Sequence, residues 1–206
     1  MQAQILRLGK AGRLKDLPPV LTFQSVVDAT VSTTAVVQAM FDQFEANGSE
    51  LVLFDINRFS GMEPFIDPAT AAVLSRLTDR SPRRYGRSLV TNTDRESIDV
   101  VERSIRPGQT EIVTRALGLA WQPEMFSLSH IALPFPLDDE LYGRSPRSSS
   151  LDLVHLGTLS PRGEKGVLTV PVETLMRVSS NPFFPYLAER LTAWTNPGTM
   201  AGRPHP

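Results

Sequence analysis

An α/β fold is what this sequence predicts, and three stretches in succession predict it. Pro18-Pro19 stops any preceding helix, and Val20-Leu21-Thr22-Phe23-Gln24 follows as a run of β-formers apolar enough for a buried strand. Ala35 to Phe44 then places Val36, Val37, Met40, Phe41 and Phe44 on one helical face, with Ser32 or Thr33 as the N-cap and Asn47-Gly48 as the stop. Leu51-Val52-Leu53-Phe54 is a second short apolar strand. Strand, helix and strand with such short connections form a βαβ unit, whose strands run parallel and whose crossover is right-handed.

The remaining elements follow in order. Met1 to Lys15 is a short amphipathic piece with Ile5, Leu6, Leu8 and Leu14 among basic residues; it lacks the apolar core of a signal peptide. Asp67-Pro68 opens a helix over Ala69 to Thr78, with Pro in the first turn and Asp as the cap. Arg80 to Arg84 is a solvated polar connector, and Ser88 to Asn92 is a third strand. Ser97 to Arg106 reads as helical or irregular, Pro107-Gly108 as a turn, and Thr110 to Leu117 as a half-exposed strand. Phe126 to Pro136 is a proline-stiffened, aromatic loop around His130. Beyond a Ser/Arg-rich connector, Leu153 to Leu159 and Val167 to Val170 are short extended pieces. Asn181-Pro182 starts a terminal helix with Phe183, Phe184, Leu187, Leu191 and Trp194 on its packing side. The expectation is therefore one α/β domain over residues 1–195 and a disordered tail over 196–206.

Composition narrows the function classes. The chain has 206 residues, 41% hydrophobic and 21% charged, enough for one real core. A net charge of -1 argues against nucleic-acid or membrane-surface binding, since both need a basic field. There are no cysteines, which excludes disulfides, zinc–thiolate sites and thiol nucleophiles. The compartment stays open, with the cytoplasm favoured. Asp138-Asp139-Glu140 reads as a solvated turn rather than a metal site, because neighbouring side chains diverge and no histidine pair is close. No cofactor is expected.

Asp28 and His130 are the candidate catalytic residues. Asp28 stands where a parallel strand ends, the place where open α/β sheets present their working groups, although aspartate there also caps turns and helices. His130 has the stiff surroundings that His155 and the tail residue His205 lack. A general base in acyl transfer needs a near-neutral pKa and a carboxylate that fixes its tautomer. Aspartate followed by histidine is a chain order that suits such a pair.

These residues carry a resemblance. Pro19 to Asp28, with Val31-Ser32 after it, resembles the late acid-bearing strand of serine α/β-hydrolases, with Ser25 where the family usually has glycine. Leu51 to Phe54 resembles the final sheet strand. Ser129-His130-Ile131-Ala132-Leu133-Pro134-Phe135, with Asp138-Asp139 and Tyr142-Gly143, is similar to bacterial lysophospholipase- or carboxylesterase-like hydrolases. The resemblance implies a partial hydrolase-type parallel sheet with flanking helices, an insertion at about 59–123 and a C-terminal helix. It also implies Asp28 as the acid and His130 as the catalytic histidine of a serine esterase, with Asp55 as a competing acid. No Gly-x-Ser-x-Gly elbow occurs in the chain, so the nucleophile is not supplied here and the chain alone is expected to be nearly inactive. The parent enzyme would take a small-molecule or lipid ester. The strand Val20–Gln24, lacking its earlier neighbour, leaves an apolar sheet edge open to self-association. The alternative is a stand-alone α/β binding or interaction module, with Asp28 a cap and His130 a packed loop residue.

Overall fold

The computed structural model describes residues 2–14, 17–26, 28, 31–56, 75, 79–94, 96–121, 134–140 and 181–196. Among them a five-stranded sheet runs in the order β1 (Leu21–Ser25), β2 (Glu50–Asp55), β3 (Gly86–Asn92), β4 (Asp99–Ile105) and β5 (Val113–Ala120). The βαβ unit is present: β1 and β2 pair in parallel from Leu21↔Glu50 to Ser25↔Phe54, and helix α2 (Thr33–Ala39) connects them. β3 joins β2 in parallel, while β4 and β5 are antiparallel, so the sheet is parallel across β1–β3, as expected of the partial parallel sheet, and mixed as a whole. The cause is local. Thr93 closes the β3–β4 link by donating to Asp99 O at 2.9 Å, and Pro107-Gly108 turns the chain again, with Gly108 at φ +72°. Connections this short permit only antiparallel neighbours.

Two cores cover the two faces. On one face, α1 (Gln2–Lys10) and α2 lie over Leu51, Leu53 and Tyr85, with Leu14, Val37, Phe41 and Phe44 filling the layer. The expected helix to Phe44 ends sooner: Met40 breaks it at φ -120°, and Phe41–Gln43 continues as a 3-10 turn. Its apolar face survives the break, since Phe41 and Phe44 remain fully buried. On the other face, α3 (Phe184–Thr195) lies over Val52, Phe54, Val90 and Val100, and Phe183 packs between Phe54 and Trp121.

Two expectations need correction. The stretch Ser97–Arg106 holds strand β4, because Val100 and Val101 pair with β3 and are buried, and that packing overrides the charged residues around them. The packing side of α3 is also shifted. Tyr186 and Leu187 are buried, whereas Leu191 is 43% exposed. The expected helix over Ala69–Thr78 and the extended pieces after Leu153 lie outside the described residues.

Candidate functional site

β1, β2, β3 and β5 run in the same direction, so their last residues share one edge of the sheet. Asp28 lies at that carboxyl edge, in the loop between β1 and α2. The loop is stitched. Gln24, 5% exposed, donates through Nε2 to Ser25 O and to Val31 O, both at 3.0 Å. Thr33, the first residue of α2, is also buried, and its Oγ1 lies 2.9 Å from Val26 O and 3.2 Å from Ser25 O. Asp28 N–H donates back to Ser25 O at 3.1 Å, and Asp28 Oδ1 accepts the Val31 N–H at 2.8 Å. Ser32 caps α2 by accepting from Ala35 N–H. Buried polar side chains on a strand that could have been wholly apolar are thus spent on the shape of this loop.

The described chain resumes at Pro134, four residues after His130, and is tied to the start of α3, where Phe183 packs on Phe54 near the end of β2. Phe135 O accepts the Asn181 N–H at 2.7 Å, and Leu137 packs against the core under α3. Asn181 is fully buried; its Oδ1 accepts the Phe183 N–H at 2.8 Å and so turns the backbone into α3. His130 itself lies outside the described residues, as do His155 and His205. Asp55, the competing acid, ends β2 at the carboxyl edge and is 5% exposed. Ser25, in the position where the resemblance has glycine, is buried, and among the described residues its hydroxyl has no hydrogen-bond partner. Asp138–Glu140 belong to a turn in which Asp139 N–H donates to Pro136 O. No three His, Cys, Asp or Glu side chains among the described residues converge as a metal site requires.

The strongest electrostatic features lie away from Asp28. Glu102, in the middle of β4, is buried under α3. Its Oε1 accepts from the Tyr186 hydroxyl at 2.9 Å, and its Oε2 accepts from Arg115 at 3.0 and 3.2 Å. Burial pushes this carboxyl upward, but the Ser88 hydrogen bond, the Arg190 charge and the Arg115 and Tyr186 hydrogen bonds outweigh it and hold it below the ordinary glutamate range. Tyr186 is pushed up, by burial first and then by the Glu102 charge. Arg190 of α3 pairs with Glu50 at the start of β2, and Arg115 also reaches Glu189 at 3.2 Å. A second network sits at the opposite, amino edge. There Arg87, 5% exposed, donates to Asp79 and to Ser81 O, and Arg83 pairs with Asp42 at 2.9 Å. Burial drives the neighbouring Tyr85 hydroxyl up to about 12. Sequence patterns missed both networks, since a buried Glu102 on a strand gives no signal until its partners from β5 and α3 are known.

No family model, curated protein or solved structure matches the chain.

Proposed function

We propose that this chain is the carboxyl-terminal part of a serine ester hydrolase of the esterase or lysophospholipase type, supplying the acid and the histidine of a Ser-Asp-His triad. One observation carries the reading. Asp28 lies at the carboxyl edge of the parallel strands, and the segment that begins four residues after His130 is tied through Asn181 to the start of α3, where Phe183 packs on Phe54 near the end of β2. In this role Asp28 holds the imidazole of His130 in one tautomer and stabilises its protonated form, and His130 takes a proton from a serine and returns it to the leaving alcohol. The serine comes from outside this sequence, which has no nucleophile elbow. The β3–β5 strands are the insertion that separates the last parent strand, β2, from the histidine loop. The substrate is a small-molecule or lipid ester, and no nucleic acid, metal or cofactor takes part.

A second reading has its own observation. Asp28 Oδ1 accepts the Val31 N–H, as an aspartate that merely shapes a turn does, and this favours a binding module without catalysis. One spectrum separates the two. If Asp28 holds His130, a ring N–H of His130 gives a downfield, exchange-protected proton resonance that vanishes in D28N. A His130 ring proton exchanging freely with water in the wild type sinks the hydrolase reading. A fluorophosphonate probe tests the missing nucleophile: the chain should stay unlabelled, and His130-dependent labelling would show a serine nucleophile within it.

A further inference from the structure

We infer that Gln24 is the positioning residue of the candidate acid: its side-chain amide spans the β1–α2 loop and sets where Asp28 stands. The inference rests on reading Asp28 as that acid. Gln24 sits inside β1, where an apolar residue would suit the core, and it is buried. A buried primary amide is stable only if its donors are used, and both are. One N–H goes to Ser25 O, before Asp28, and the other to Val31 O, after it. The two carbonyls are thereby held either side of a single nitrogen, which fixes the width of the loop. That width places the Val31 N–H 2.8 Å from Asp28 Oδ1 and the Asp28 N–H 3.1 Å from Ser25 O. Thr33 closes the inner side of the loop at Val26 O but does not reach Val31. Gln24 therefore links the strand to the far end of the loop, and Asp28 takes its orientation from that link.

Backbone amide exchange and the His130 ring proton are the readouts, in wild type, Q24M and T33V. Methionine keeps the length and burial of glutamine and removes both donors. In Q24M the Val31 amide should exchange about tenfold faster, the equivalent of one lost hydrogen bond, while the Val37 amide inside α2 keeps its protection. T33V should leave Val31 protected. The His130 ring proton should broaden or disappear in Q24M as it does in D28N. Unchanged Val31 exchange in a folded Q24M overturns the inference, as does equal loss of protection at Val31 and Val37, which marks a glutamine that only stabilises the fold. Should Q24M not fold, the wild type decides: the Gln24 side-chain amide protons must be protected, and free exchange refutes the span. If Val31 responds in Q24M but D28N leaves the His130 proton untouched, the loop role of Gln24 stands and the acid–base reading falls.

Discussion

A carboxylate as deeply buried as that of Glu102 stays charged because Ser88, Arg115 and Tyr186 donate to it and the Arg190 charge lies near. Glu102→Gln keeps the shape and removes the charge, and should cost about 1–3 kcal/mol at neutral pH, read by urea unfolding. The pH dependence has a definite sign. Because the folded-state pKa is depressed, the contribution is complete above the ordinary glutamate value of about 4.5 and is lost as the pH falls through the lowered one. The gap between wild type and variant should therefore narrow in acid, and a gap unchanged down to about pH 3 would assign the stabilisation to something other than the charge. Tyr186→Phe tests the same site from the helix, with an expected loss of about 0.5–1.5 kcal/mol. None of this was readable from the sequence, where Glu102 and Arg103 are adjacent charges on an ambiguous segment. The place of Asp28 just beyond the end of β1 was readable, because polar residues that end an apolar run mark a strand terminus whatever their partners. Gln24 was hidden in that run, since its role depends on a carbonyl seven residues away.

At the scale of elements, the unit β1–α2–β2 was legible because each part is a short, uniform run with its own stop signal. β4 was not, since its register is set by β3 and its inward carboxylate is answered only by residues of other elements. β5 was placed a few residues early because it carries an irregularity. Val100 pairs with Leu119 and Val101 with Ala116, so Leu117 and Gly118 are extra on β5. Gly118 adopts φ +64° there, a conformation that costs an L-residue about 1–2 kcal/mol. Gly118→Ala should lower stability by that amount, entirely through the backbone, since a Cβ at this position would meet nothing within 4 Å. A loss below about 0.3 kcal/mol would mean that the irregularity relaxes freely. At the amino end of α3, Asn181→Ala removes the acceptor of the Phe183 N–H and should cost about 1–2 kcal/mol, with early fraying of α3 in amide exchange.

For the whole molecule, the sheet has a covered middle and two different edges. Among the described residues β1 pairs only with β2, and Leu21, Thr22 and Phe23 are half-buried rather than fully covered. An apolar parallel edge of this kind invites a further strand, such as one from a second copy. Sedimentation velocity should show concentration-dependent association that Thr22→Lys weakens; association equal in both proteins would move the contact elsewhere. The fold class was legible because it follows from local patterning, whereas the direction of the outer strands and the docking of α3 depend on contacts between distant segments. The proposed partnership of Asp28 with His130 would be of this second kind, and it is the claim on which the proposed function depends. Its most direct measurement is the ring titration of His130 by NMR in the wild type and in D28N. A carboxylate beside the imidazole favours its charged form, so the wild-type ring should titrate at higher pH than the ring in D28N. Superimposable titration curves would mean that the two residues do not meet.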